Sequence, residues 1–266
     1  MGAPREKLAR LLLRFGSPFT ALRRLPLIGP CVRWASAKLV PRDALTWVQV
    51  RSGAAQGLWL HLNPRTGKSY FEGAGEEDVQ QLLQKHLKAG MTFYDVGANI
   101  GLFSLIAARL VGEKGRVVAF EADPEIADRL REHLARNQFS WARVEEKAVW
   151  SEAKTVYFAR TNPGNSPDRG LGHVVEAAGT ETIEVQALAL DKFAETERAP
   201  DVIKCDVEGA EVEVIRGAQN LLKAKRPTIV CEMHSAENAR LLATIFEKSG
   251  YACTDCGTNH VLALPQ

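Results

Sequence analysis

A glycine-containing turn carries the most specific chemical signal in this chain. It reads Asp95-Val96-Gly97-Ala98-Asn99-Ile100-Gly101, with glycines four residues apart, and it leads from a short apolar segment straight into a helix-like segment. Glycine permits positive φ and a close backbone approach, and the first turn of a helix offers free N–H groups to an anion. Asp95 can meet a cationic amine. The turn therefore favours a ligand that carries both charges over a pyrophosphate.

A second signal is the acid Glu121, which ends the next apolar segment. A carboxylate at this place binds the ribose hydroxyls in dinucleotide folds, so the pair of signals favours a nucleoside ligand, with a helix-terminus acid as the alternative. The dinucleotide pattern G-x-G-x-x-G is absent, and Gly67-Lys68-Ser69 lacks both the first glycine and the strand of a phosphate loop. These absences argue against a nicotinamide-linked oxidoreductase.

Four acid–base side chains follow two later apolar segments. Asp206 and Glu208 come after one segment, and Glu232 and His234 after the other. We expect the four to converge, and we predict a catalytic group here with His234 as the favoured general base, because imidazole titrates near neutrality. Asp206 is the second candidate, and a capping or hydrogen-bonding role for His234 is the alternative. A divalent cation held by Asp206, Glu232 and His234 is a further, less favoured interpretation.

The elements that must position these groups alternate between strand and helix patterns. Strands are predicted over 47–50, 58–62, 92–96, 116–121, 144–149, 155–158, 182–188, 201–206 and 227–233, with a closing hairpin over 251–253 and 260–264. Helices are predicted over 76–88 and 100–111, and apolar stripes indicate others near 126–134, 210–221 and 241–246. Such alternation predicts a mostly parallel sheet with helices on both faces, whose ligand lies beyond the carboxyl ends of the strands.

The composition predicts a globular protein, with 45% hydrophobic and 25% charged residues and a net charge of +2. Residues 1–42 hold nine Lys or Arg and one Glu, so this segment is +8 and the remainder is −6. An acidic body argues against general nucleic-acid binding. The five scattered cysteines favour a reducing compartment, so a cytoplasmic location is expected. We divide the chain into a basic amphipathic arm (1–45), a lead-in (46–90) and the main domain (91–266).

The basic arm has two interpretations. Leucines at helical spacing with arginines opposite predict a helix, which either packs on the main domain or contacts an anionic membrane surface through residues 1–42. We favour packing on the domain, because basic amphipathicity alone is common.

Three segments together resemble the FkbM family of S-adenosylmethionine (SAM)-dependent methyltransferases. They are 95–101, 120–124 and 203–211, and Glu232-Met233-His234 is also similar. The resemblance extends over roughly residues 57–252. It implies a doubly wound, seven-stranded Rossmann-like sheet, SAM as cofactor, and O-methylation of a hydroxyl on a glycan, polyketide-like molecule or other small metabolite. The alternative is a SAM-binding module without catalysis, regulatory or docked on a membrane.

The resemblance also implies residue roles. The glycine turn would hold the methionine part of SAM, Glu121 the ribose, and the 146–148 turn the adenine, while Asp206 would lie between cofactor and acceptor. The cofactor-binding positions expected in this way are Asp95, Gly97, Ala98, Asn99, Gly101, Glu121, Ala122, Lys147, Ala148 and Asp206.

Two remaining features have open interpretations. Residues 161–181 are rich in glycine and proline, and they predict either a lid whose Asn165, Arg169 and His173 contact the acceptor or a solvated connection. Cys253-x-x-Cys256 has the ligand types of a zinc site with His260, but no second pair exists, so packing is favoured. The sequence does not indicate an oligomeric state.

Overall fold

A computed structural model describes residues 28, 31, 45–63, 67–160 and 172–266. The predicted basic arm therefore lies almost entirely outside the described residues, as do Asn165 and Arg169. Within the described ranges, no helix is both long and apolar enough to pass through a membrane.

The central element is a seven-stranded sheet, mostly parallel, in the order β12-β13-β11-β10-β3-β4-β5. Its five parallel strands run side by side, and β13 and β12 add an antiparallel hairpin at one edge. Strands of this sheet are β3 (Thr92–Val96), β4 (Arg116–Phe120), β5 (Ala142–Glu145), β10 (Val202–Cys205), β11 (Thr228–Glu232), β12 (Tyr251–Asp255) and β13 (His260–Pro265). The chain order reverses between β3 and β10, which is where such sheets bind ligands.

Helices cover both faces of this sheet, which confirms the doubly wound α/β fold. Side chains of β3 alternate between two separate cores, with Phe93 in one and Tyr94 in the other. The described helices are α1 (Lys68–Glu72), α2 (Glu77–His86), α3 (Leu102–Val111), α4 (Pro124–Arg136), α5 (Leu190–Phe193), α6 (Glu211–Arg216), α7 (Gln219–Ala224) and α8 (Ala236–Lys248). Helices α2, α3 and α4 bury apolar side chains in the first core, and α6, α7 and α8 in the second.

Two smaller sheets accompany the main one. β1 (Thr46–Gln49) pairs with β2 (Trp59–Leu62), as the lead-in pattern predicts. A four-stranded sheet, which sequence reasoning did not separate from the main sheet, has the order β6-β9-β7-β8. Its strands are β6 (Ala148–Val149), β7 (Lys154–Ala159), β8 (His173–Val175) and β9 (Thr182–Leu188).

Two predicted elements are each divided in the structure. The strand expected over 144–149 ends at Glu145, so β5 belongs to the main sheet and β6 belongs to the four-stranded sheet. The helix expected over 210–221 breaks at Gly217, where a Cβ would stand 2.2 Å from the carbonyl oxygen of Trp150. Another chain segment approaches closely at this position, and no local pattern reveals that contact.

Candidate active site

A cavity of about 300 Å³ lies at the carboxyl ends of β3, β4, β10 and β11. Residues of α4 and of the four-stranded sheet form an apolar wall of this cavity. Residues that follow β10 and β11 form an acidic wall. Its lining residues are Tyr70, Glu76, Gly97, Asn99, Phe120, Glu121, Ala122, Asp123, Ile126, Lys147, Ala148, Val149, Phe158, Gly172, Val174, Asp206, Val207, Glu208, Ala210 and Glu232.

The glycine turn after β3 packs against neighbouring chain so tightly that side chains are excluded. Gly97 has φ +74°, and a Cβ there would lie 1.7 Å from the carbonyl oxygen of Asp206. Gly101 has φ +85°, and a Cβ there would lie 1.9 Å from Cδ1 of Leu130. The two glycines thus let the turn pack between the segment after β10 and helix α4. Asn99, at the other side of the turn, lines the cavity.

Glu121 joins this turn to the end of β4. One carboxylate oxygen accepts a hydrogen bond from the backbone N–H of Asn99, the other from that of Asp123, both at 2.8 Å. Burial raises the pKa of Glu121 to about 7, while the two backbone donors favour the ionised form. Glu121 is therefore a fixed acceptor at the cavity wall.

Asp95 lies beneath the cavity and does not line it. Its side chain is fully buried, accepts a hydrogen bond from the hydroxyl of Ser104 at 2.5 Å, and lies 3.9 Å from Nζ of Lys204. The same ammonium donates to Asp206 at 3.0 Å and lies 3.4 Å from the carbonyl oxygen of Gly97. Lys204 is 3% exposed, so one buried cation balances two carboxylates under the turn.

The apolar wall comes from three elements. Ala122 follows β4, Ile126 lies on α4, and Phe158 and Val174 belong to the smaller sheet. Ala148 opens β6 at the point where the chain leaves the main sheet. None of these side chains carries a polar atom, so this wall favours contact with an apolar group.

The acidic wall surrounds His234. Its Nε2 lies 3.3 Å from Glu208, 3.7 Å from Asp206 and 3.8 Å from Glu232. Its Nδ1 contacts the fully buried carboxylate of Glu211 at 2.8 Å. The four predicted acid–base residues therefore converge, and Glu211 orients the imidazole from behind.

Charges within the acidic wall alter its proton affinities. Burial alone would lower the pKa of His234, but Glu211 and the other carboxylates outweigh it and raise this pKa. Burial, with Asp206 nearby, raises the pKa of Glu232 to about 7. Burial opposes ionisation of Asp206 too, but Lys204 lowers its pKa below the ordinary value. Asp206 thus stays ionised at neutral pH, while the pKa of Glu232 lies near neutrality and the pKa of His234 lies above its ordinary value.

A second imidazole, His260, lies on the other side of Glu232. Its Nε2 is 3.8 Å from Glu232 and 3.5 Å from Glu76, and its Nδ1 is 3.1 Å from Asp78. Burial would lower the pKa of His260, but these carboxylates raise it overall. Glu232 thus faces a histidine on each side.

Comparison with known proteins places this site in a family. A model of the methyltransferase FkbM domain matches residues 95–253, which is more than half of the chain. The chain belongs to the FkbM methyltransferase family. This confirms the expected family, and SAM is the cofactor of its members.

Individual proteins are also similar to this chain, over part of their length. The hexuronic acid methyltransferase AglP of Haloferax volcanii is 31% identical over 169 residues, which cover 60% of this chain and 63% of that protein. The methyltransferase sdnD of Sordaria araneosa is 32% identical over 155 residues, covering 46% and 58%. The crystal structure of a methyltransferase FkbM from Methylobacillus flagellatus aligns with a TM-score of 0.48 at 15% identity, covering 91% and 62%. This chain thus spans less than two thirds of each protein.

Some of the predicted site residues line the cavity and others do not. Seven of the ten expected cofactor positions line it, and Asp95, Ala98 and Gly101 lie behind the lining. Asp206, Glu208 and Glu232 line it, while His234 does not, although its Nε2 lies 3.3 Å from Glu208. The lining pairs a fixed hydrogen-bond acceptor, Glu121, with an apolar wall.

Several residues that the structure places around the cavity could not be assigned to it from the sequence. Lys204 carries a local signal, because a charged residue inside the otherwise apolar segment 202–205 must be paired if buried. Glu211 lies inside the family motif but received no role. Glu76 carries no local signal, and His260 was considered only together with Cys253 and Cys256; distant parts of the chain bring both residues to Glu232.

The structure also describes parts of the 161–181 segment and of the Cys253-x-x-Cys256 motif. His173 begins β8, which pairs with β7, so the described end of the 161–181 segment is a sheet strand. Cys253 is exposed on β12 and Cys256 is partly buried against a core, and neither belongs to a potential metal-binding group among the described residues. His260 faces carboxylates instead.

Proposed function

We propose that this protein is a SAM-dependent methyltransferase that methylates a hydroxyl of a glycan or other small metabolite. The observation that carries the proposal is one cavity with two chemically different ends. A ribose-type acceptor and an apolar wall form one end, and Asp206, Glu208 and Glu232, backed by His234, form the other.

The chain's own groups would bind and orient the cofactor. SAM supplies an electrophilic methyl carbon when bound. Glu121 would accept hydrogen bonds from the ribose hydroxyls, Ala122 and Ala148 would contact the adenine, and the Gly97–Asn99 edge would face the amino-acid part. Asp95 would act through Lys204 and the turn, because its carboxylate lies below the lining. Alignment of donor and acceptor in one enclosed site is the main catalytic contribution in such a displacement.

His234 would take the proton of the acceptor hydroxyl. If Nδ1 donates its hydrogen to Glu211, Nε2 is free to accept a proton on the side that faces the cavity-lining carboxylates. Asp206 and Glu208 would then stabilise the imidazolium. The raised pKa of His234 makes it a stronger base, at the cost of a smaller deprotonated fraction at neutral pH.

The acceptor class is supported by chemistry and by similarity. Acidic side chains around the acceptor end suit a hydroxylated molecule, because carboxylates accept hydrogen bonds from hydroxyl groups. The similarity to a hexuronic acid methyltransferase makes uronic-acid glycans the first acceptors to test.

Transfer of labelled methyl groups from SAM into a panel of glycans, including hexuronates, tests the proposal. We expect label in a hydroxyl-bearing product, and His234→Asn should lower turnover roughly 100-fold or more with little change in SAM affinity. His86→Asn, a histidine outside the acidic wall, is the matched control. Binding of SAM without transfer to any acceptor would instead favour a non-catalytic SAM-binding module.

A further inference from the structure

A side-chain group next to the acidic wall has the composition of a metal site. Glu76 precedes α2, Glu232 ends β11 and His260 begins β13. One ligand-type atom of each residue lies within 4.8 Å of the other two, and Nε2 of His260 is 3.5 Å from Glu76 and 3.8 Å from Glu232. Three separate chain segments therefore direct ligand-type atoms at one point.

His260 is oriented as a metal-binding histidine would be. Its side chain is 2% exposed, and Nδ1 lies 3.1 Å from the carboxylate of Asp78, which also accepts a hydrogen bond from Thr258. A carboxylate on one ring nitrogen fixes the ring and directs the other nitrogen toward a metal. That other nitrogen, Nε2, faces Glu76 and Glu232.

The atoms that face one another lack hydrogen-bond partners. Nε2 of His260 and Oε2 of Glu76 are both buried, and neither forms a hydrogen bond. Buried polar groups in this state are costly unless an ion or other partner satisfies them. A cation between these atoms would satisfy both and would offset the repulsion between Glu76 and Glu232.

We propose that Glu76, Glu232 and His260 bind a divalent cation. Two carboxylate oxygens and one imidazole nitrogen suit a first-row ion such as Mn²⁺ or Zn²⁺ better than Ca²⁺, which prefers oxygen ligands alone. The bound ion fastens the lead-in segment, through Glu76, to the edge of the main sheet. Glu76 and Glu232 also line the cavity, so the ion lies at its wall.

The neighbouring group of Asp206, Glu232 and His234 is the competing location. Its atoms also lie within 4.8 Å of one another. However, Nδ1 of His234 is bonded to Glu211, and Nε2 already faces three carboxylates within 3.8 Å. Asp206 is bonded to Lys204 as well. In the second group, hydrogen bonds to Glu211 and Lys204 therefore already hold His234 and Asp206, whereas Nε2 of His260 contacts Glu76 at 3.5 Å without forming a hydrogen bond.

Mn²⁺ titration of the EDTA-treated full-length protein, followed by electron paramagnetic resonance, tests the proposal. We expect saturable binding of one ion, displacement by Zn²⁺, and a higher melting temperature with the ion bound. Glu76→Gln and His260→Gln should each weaken binding about tenfold or more, and Asp78→Asn roughly 10-fold. His234→Gln and His86→Gln should bind Mn²⁺ as the wild type does.

Two results would overturn the proposed cation site. Absence of saturable binding overturns it, as does binding that His234→Gln abolishes while Glu76→Gln and His260→Gln retain it. If His260→Gln fails to fold, Glu76→Gln decides, because the Glu76 side chain is one-third exposed. Methyl transfer is not a readout here, so the proposal can fail while the proposed function stands, and the reverse.

Discussion

The carboxylate of Glu121 accepts a hydrogen bond from the backbone N–H of Asn99 at 2.8 Å. This bond joins the turn after β3 to the end of β4, and Asn99 adopts a positive φ of 51° beside it. Two features that the sequence presents as separate signals are thus one structural unit. Glu121 shapes the turn as well as facing the cavity.

Glu121→Gln should weaken SAM binding, although the replacement is similar in size. Both oxygens of Glu121 accept from backbone N–H groups, so the amide NH₂ of Gln would face one of these donors. Loss of a buried charge-assisted hydrogen bond costs about 1–3 kcal/mol, which corresponds to about 5- to 160-fold in affinity. Isothermal titration with SAM measures this. Glu247→Gln, exposed on α8, is the control, and unchanged affinity in Glu121→Gln would refute the ribose assignment.

Gly97→Ala should destabilise the protein and disrupt the cavity. Ala would require φ +74°, and its Cβ would lie 1.7 Å from the carbonyl oxygen of Asp206. Gly90→Ala is a matched control, because Gly90 has φ +85° but a Cβ there meets no atom within 4 Å. We expect a loss of about 1 kcal/mol for Gly90→Ala and about 3 kcal/mol or more for Gly97→Ala, measured by urea unfolding. Equal losses would show that the close approach is unimportant.

Lys204→Met should destabilise the protein by about 3–5 kcal/mol at neutral pH, because it leaves the buried carboxylate of Asp95 and the partly buried carboxylate of Asp206 without their cation. The pKa values of Asp95 and Asp206 would then rise, so the loss should shrink as falling pH protonates them. Urea unfolding at pH 7.5 and pH 5 measures both effects. Asp95→Asn in the Lys204→Met background should recover part of the stability. A loss independent of pH would mean that Lys204 acts by packing alone.

His133 should make folding stability depend on acid pH. Its Nε2 accepts from the backbone N–H of His61, and its Nδ1 contacts the carbonyl oxygen of Ile100, both at 2.7 Å. This fully buried ring is held neutral, and burial lowers its pKa to about 4. Since the unfolded chain takes up a proton near pH 6.5 and the folded protein does not, stability contributed by neutral His133 is lost as pH falls from about 6.5 to 4.

The expected loss is about 3 kcal/mol over that interval. Thermal or urea unfolding from pH 7 to pH 4 measures it, and His133→Gln should show a flatter profile from a lower starting stability. His173→Gln, an exposed histidine on β8, should keep the wild-type slope. A wild-type slope in His133→Gln would contradict the assignment.

The sequence predicts best those parts of the site that depend on neighbours along the chain. Turn glycines, the acid Glu121 and the pairs after β10 and β11 all follow apolar strands directly, and parallel strands bring their carboxyl ends together. The alternation of strand and helix patterns is therefore enough to predict that these residues converge. The hairpin of β12 and β13 was predictable for the same reason.

Other features depend on packing between distant segments. A lysine within β10 signals a buried charge, but only the fold shows that Asp95 and Asp206 balance it. The smaller sheet arises because the chain turns away after Glu145, a change of direction that short strand patterns do not encode.

The sequence alone determined the fold class, the family and the strand-end residues, because hydrophobic periodicity and local motifs are properties of neighbouring residues. Only the tertiary structure decided which side chains reach the cavity and which support it from behind. It also brought Glu76 and His260 together at Glu232, since contacts between such distant segments depend on how the whole chain packs.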